Sequence, residues 1–245
     1  NAHGNLYKCT ADARLNYYGD NPEIYKNLTT KYDNYFVQQV YSQVSGSDNS
    51  FKDLVQLIKV FNMTVGPEFE MQVEKVLDLD ILARGAAISQ TCGDWDNLFH
   101  GNNFMLYNNP ASGKWEAIYQ GWEHMWDSEG NLVENVYDIG VIASSQWKKL
   151  FQLKSFRSKL THYMRMLVEK ILYTDAFEDR INYMKAVLLP FLSIDRMYAT
   201  VSKNANGPNS FNSAVSHMIS SIKLRNEYTL KQLEKNDPLQ HLAKL

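Results

Sequence analysis

Between Asp94 and His124 the chain gathers the residue types that hold a metal ion or move a proton. An acidic triplet, Asp94-Trp95-Asp96, is followed by an amide pair, Asn102-Asn103. Two short aromatic-rich runs come next, Phe104 to Tyr107 and Trp115 to Tyr119, separated by NNPASGK. Pro and Gly between such runs read as a β-hairpin with a medium-length turn. Beyond it lies Gly121-Trp122-Glu123-His124. A hairpin reverses the chain, so carboxylates on either side of it can converge on one spot. Such a spot could hold a metal ion against phosphate oxygens. Read on its own, the triplet is more simply a helix-ending turn with solvated acids.

The elements that must position these groups follow from turn signals and apolar spacing. Residues 1–35 are polar and tyrosine-rich, and read as loops with one short strand around Asn5 to Cys9. Ser45 to Ser50 is a polar loop ending in good N-cap residues. Phe51, Leu54, Val55 and Ile58 then recur at helical spacing. Gly66-Pro67 opens a second helical segment, and Asp80 is placed to cap a helix from Ile81 to Gln90. SEGNLVENVYD, after Asp127, reads as an irregular loop. From Ser145 onward the pattern is helical. Phe156, Leu160, Tyr163, Met164, Leu167, Val168 and Ile171 form one stripe, with Ser155 as its cap. Asp175 to Glu178 resembles a capping box, Pro190 should end or kink the helix that follows, and Lys203 to Ser210 is a break. A final helix carries Phe211, Val215, Met218, Ile219 and Ile222.

The chain has 245 residues, 44% hydrophobic and 21% charged, with a net charge of −2, which suits a domain with a sizeable core. The near-neutral balance argues against nucleic-acid binding, and no apolar run approaches the roughly 20 residues needed to span a bilayer. No initiator Met and no signal peptide are present, so a mature or excised piece is expected. Cys9 and Cys92 could pair, but equally suit two small buried thiols. Asn27-Leu28-Thr29 and Asn62-Met63-Thr64 are glycosylation sequons, which permit a secreted location. The six histidines show no metal-ligand spacing, and there is no Gly-rich phosphate loop or nucleophile elbow. Tyr17-Tyr18 and the aromatics from Trp115 to Trp126 suit core packing better than ligand binding.

Taken in order, these segments resemble the CotH family, named for spore-coat proteins and found also in fungi. Its members have an atypical protein-kinase-like fold and transfer phosphate from ATP to serine. The family's Asn-Trp-Asp loop corresponds to Asp94-Trp95-Asp96, and its Asn-Tyr-Tyr-Leu-Tyr strand to Asn103-Phe104-Met105-Leu106-Tyr107. Its Thr-Gly-Lys-Trp turn corresponds to Ser112-Gly113-Lys114-Trp115, and its Asp-Phe-Asp-His-Thr-Phe segment to Gly121 through Trp126. The opening GNLYK (Gly4 to Lys8) and the closing RNEYTLKQL (Arg225 to Leu233) are also similar.

The resemblance implies an α+β fold: the mostly helical large lobe of a kinase-like fold around a central β-hairpin. The small lobe, upstream of GNLYK in the family, would be largely absent. Residues 1–245 would then form a partial CotH domain: a loop-rich opening at 1–50, helices, acidic loop and hairpin at 51–127, and a helical part at 145–245. It implies Asp96 as the catalytic carboxylate, Asn103 and Glu123 as metal ligands, and Mg²⁺ and ATP as cofactors. His124 keeps the family's residue type and reads as a structural hydrogen-bonding histidine. One departure matters. Gly121 stands where the metal-binding Asp should be, and Glu123 is one methylene longer than the family's second Asp. Two functions therefore stay open: a serine kinase, or a non-catalytic secreted or cell-surface binding module. Either would have a secreted or surface protein as substrate or ligand. On residues alone, phosphotransfer by this chain is expected to be unmeasurable. If the full-length parent is also inactive, restoring Gly121→Asp is expected to raise Mg–ATP affinity or turnover by about 10-fold or more.

Overall fold

The GNLYK segment supplies an interior strand of a sheet. The computed structural model describes residues 3–32, 36–46, 48–126, 135–140, 143–172, 175–192, 194 and 208–235. Within them β1 (Leu6–Cys9) lies between β4 (Tyr41–Ser45) and β5 (Phe104–Asn109), and β6 (Lys114–Tyr119) completes the order β4-β1-β5-β6. All three pairings are antiparallel. A separate ribbon joins β2 (Thr29–Tyr32) to β3 (Phe36–Gln39), preceded by the short helix α1 (Pro22–Lys26).

The hairpin expected from Phe104 to Tyr119 has those bounds, but it is half of a larger sheet. The loop-rich opening over 1–50 is corrected in the same way. The missed strands are four or five residues long and carry little alternation; β3 leaves Phe36 and Val37 exposed. A period-2 signal needs one buried face. β4 owes its pairing to β1, with Cys9 opposite Tyr41, and that partner is far away in sequence.

Among the described residues eight helices surround the sheet. α2 (Lys52–Met63) starts from Phe51 in a left-handed conformation (φ 58°), not from a side-chain cap. α3 (Gly66–Val76) leads into α4 (Leu79–Cys92). The cap of α4 is Asp78, not Asp80: its Oδ1 accepts from the Asp80 and Ile81 amides at 3.0 Å each. Asp80 is thereby free to take Arg84 (2.6 Å) and the Tyr163 hydroxyl (2.7 Å). α5 (Ser145–Gln152) is capped by Ser144, and α6 (Lys154–Met166) runs on as a π-helical turn to Ile171. Ser155 is not a cap. It sits in the first turn of α6 and donates to Glu70 at 2.8 Å. α7 (Asp175–Leu188) gives way to a 3-10 turn containing Pro190, and α8 spans Pro208–Lys235. The expected irregular loop after Asp127 falls mostly at 128–134, and the expected break mostly at 203–207, outside the described residues.

The core centres on Trp147 of α5, which is fully buried. Its ring meets Phe61 of α2 at 5.0 Å, Phe104 of β5 at 6.1 Å and Phe99 at 6.3 Å, all edge-on. Each such buried side chain contributes roughly 1.5–3 kcal/mol. Phe99 belongs to the loop between α4 and β5, so the core grips that loop directly.

Candidate functional site

The acidic triplet follows the C-terminus of α4. Gly93 closes the helix in a left-handed conformation (φ 66°), and the Gly93 and Asp94 amides both donate to the Ser89 carbonyl. On α8, buried Arg225 donates through Nε (3.0 Å) and Nη2 to the Gln90 carbonyl. A cation on the last carbonyls of a helix satisfies orphan acceptors and opposes the helix dipole. The closing RNEYTLKQL motif thus fixes the platform from which the loop departs. After the triplet, Asn97 accepts from the Phe99 amide (2.9 Å) and donates to the Asp94 carbonyl (2.5 Å).

Asp96 and Asn103 are brought into contact. Asn103 Nδ2 donates to both the Oδ2 and the carbonyl of Asp96 at 3.0 Å, and Asn102 Nδ2 donates to Asp96 Oδ1 at 2.9 Å. Asn103 is left-handed (φ 53°), which turns its side chain back toward the loop; Asn tolerates that region better than most residues. Its carbonyl accepts from the Gln120 amide (2.8 Å), tying it to the far end of β6.

Across that end lie Gly121 and Glu123. Gly121 has φ 65°, and a Cβ built on it would fall 2.8 Å from Asn103 Nδ2 and 3.1 Å from Glu123 Oε2. Glu123 is exposed, and its carboxylate reaches back over the missing side chain toward Asn103. The glycine is itself a fitted residue: an aspartate here would meet left-handed strain and push Asn103 away from Asp96.

These residues fit Mg²⁺ and nucleotide phosphates in one respect that can be checked. Asn103 commits Nδ2 to Asp96, which leaves Oδ1 as its acceptor, and the Asn103 amide group and the solvent-facing Glu123 carboxylate both lie against the place of a Cβ at Gly121. Mg²⁺ is commonly held by one or two carboxylates plus phosphate oxygens and water. Among the described residues no group of three or more His, Cys, Asp or Glu is placed to hold a metal by itself.

Asp94, two residues before Asp96, is buried, and its Oδ1 has no hydrogen-bond partner among the described residues. Burial is the main cause that pushes its carboxyl up to about 6; the Asp96 charge adds to the rise, and nearby His124 opposes it. The His124 ring lies 4.5 Å from that of Trp95, and Trp122 stacks on Tyr119 at 5.6 Å. His100 has a carbonyl at each ring nitrogen: Trp95 at Nδ1 and Ile139 at Nε2 (3.1 Å). Sequence reasoning passed over Asn97, His100 and the bond from Asn102. Asn97 and His100 make backbone contacts and Asn102 meets the Asp96 carboxylate, none of which residue type and spacing announce.

Of the two sequons, Asn27 is exposed at the end of α1. Asn62 donates to the Leu15 and Ile58 carbonyls at 2.7 Å each and accepts from Gln146 Nε2 at 3.0 Å, so a glycan on its Nδ2 would remove one of the two donated bonds. Cys9 and Cys92 are both free and buried; burial drives the Cys92 thiol up to about 12.

No helix among the described residues is long and apolar enough to cross a membrane. No curated protein matches the chain. A family model described as CotH kinase protein matches residues 1–229, and the chain belongs to that family.

Proposed function

We propose that the chain transfers phosphate from ATP to a protein serine hydroxyl, at a site where Glu123 stands in for the carboxylate that Gly121 lacks. The supporting observation is that Glu123 Oε2 lies 3.1 Å, and Asn103 Nδ2 2.8 Å, from the place where a Cβ at 121 would sit. In this reading Asn103 Oδ1 and Glu123 hold Mg²⁺. An ion held there would supply positive charge against the negative charge that develops on the transferred phosphate. Asp96 orients the acceptor hydroxyl and takes its proton, and Asn102 and Asn103 hold the carboxylate in place for that task. The test is radiolabelled ATP with a casein-like serine substrate. Transfer should be abolished by Asp96→Ala, and Gly121→Asp should bring no gain because its Cβ displaces Asn103. No transfer by the unmodified chain, or a gain from Gly121→Asp, would count against this reading.

The second reading, a non-catalytic secreted or cell-surface module that binds a protein, has its own observation. Both carboxylate oxygens of Asp96 already accept amide hydrogen bonds. Under either reading we place the chain outside the cell or on its surface, with exposed Asn27 as the modifiable sequon. Mass spectrometry of the native protein should find a glycan at Asn27 and none at Asn62; the reverse pattern would contradict this.

A further inference from the structure

α7 carries an apolar stripe that, among the described residues, is covered at one end only. Phe177, Ile181, Met184, Leu188 and Phe191 recur at three- and four-residue steps, one face of a helix continued through the 3-10 turn. The first two line a groove of about 310 Å³ against Ile219 and Ile222 of α8. The rest of the stripe is bare: Met184 is 54% exposed, Leu188 48% and Phe191 58%, with Tyr183 and Val187 exposed beside them. Large apolar side chains exposed in a contiguous row mark an interaction surface more often than chance.

The groove's lips say which partner suits it. Asp175 and Glu178 line the α7 side, Lys223 and Glu227 the α8 side. Lys223 pairs with Glu178 at 2.6 Å, whereas Asp175 and Glu227 have no ion pair among the described residues. Two acids are therefore left on the rim of an apolar trough. We propose that this face docks a basic amphipathic helix of a partner protein, laying its apolar side along Met184, Leu188 and Phe191 and its Lys or Arg residues against Asp175 and Glu227. From Phe177 to Phe191 the track is on the order of 20 Å long, enough for about four helical turns. The surface stands on its own observations and does not depend on the phosphotransfer reading.

The probes are two fluorescein-labelled helical peptides with the same leucine stripe, one flanked by lysines and one by glutamates. Fluorescence anisotropy with the full chain should show the lysine peptide binding and the glutamate peptide not, with affinity falling as salt rises. Leu188→Asp, a change on the exposed surface, should weaken binding roughly tenfold or more, the scale of losing an anchor residue. Asp175→Asn together with Glu227→Gln should remove most of the salt dependence. Equal binding of both peptides, no binding of the lysine peptide, or indifference to Leu188→Asp would overturn the proposal. So would self-association of the chain, or attachment to anionic vesicles, that Leu188→Asp abolishes, since the face would then belong to a second copy or a lipid surface.

Discussion

Asp94 is buried at the end of α4 with one carboxylate oxygen unbonded, so the folded chain holds its proton to a higher pH than the unfolded chain does. An unfolded Asp titrates near 3.9, and the folded one at about 6. Between those values the folded state binds a proton that the unfolded state has released, so stability falls as pH rises through this window, then levels off. Asp94→Asn keeps the shape and removes the charge. It should flatten that slope and raise stability at neutral pH by roughly 1–2 kcal/mol, read from urea unfolding across the window. An unchanged slope in the variant would show that Asp94 is not its source. Half-buried Asp53 accepts from Tyr7 (2.7 Å), the Leu54 amide (2.8 Å), Asn5 (2.9 Å) and Asn108 (3.0 Å), so each of its oxygens takes two hydrogen bonds. Two of those partners lie in GNLYK, whose resemblance to the family was plain in sequence but whose purpose was not. The motif ties β1 to α2. Gly4 shares the task, since a Cβ there would fall 2.0 Å from the Asn108 carbonyl oxygen.

α4 and the hairpin meet without a spacer. A Cβ on Gly85 would fall 2.0 Å from the Tyr119 ring, whose hydroxyl donates to the Leu82 carbonyl at 3.1 Å. In an exposed helix Gly→Ala stabilises by up to about 1 kcal/mol. Here the ring must move, and Gly85→Ala should destabilise by about 1–3 kcal/mol. It should also unsettle Trp122, which stacks on that ring beside Gly121. Urea unfolding decides it: a gain in stability would mean that α4 and β6 have more room than their geometry allows. The hairpin was legible because two aromatic runs flank a Pro- and Gly-containing turn, and α4 because its apolar spacing is regular. The register of the remaining strands was not, since Cys9 meets Tyr41 and Phe104 only through long-range pairing. Asp80 was misread as a cap because Asp78, two residues earlier, is equally able to cap and is fixed by its amide bond to the Trp115 carbonyl (2.8 Å), a long-range contact.

Across the molecule, the first and last motifs of the chain converge on the same task. GNLYK sets β1 beside β5, and Arg225 anchors the end of α4, so the loop holding Asp96 is fixed from both sides. The order of site residues along the sequence pointed to Asp96, Asn103 and Glu123 together. What it could not show was the left-handed backbone at Asn103 and Gly121, which turns one amide onto Asp96 and leaves space for Glu123. Mg²⁺-dependent ATP binding tests this arrangement most directly, by isothermal titration calorimetry on the unmodified chain and on Glu123→Gln. The unmodified chain should bind ATP more tightly with Mg²⁺ than without, and Glu123→Gln should lose roughly tenfold in affinity, about 1.4 kcal/mol, only when Mg²⁺ is present. Equal affinity of the two proteins in Mg²⁺, or no response to Mg²⁺ in either, would contradict the assignment of Glu123 as the carboxylate that replaces the one missing at Gly121.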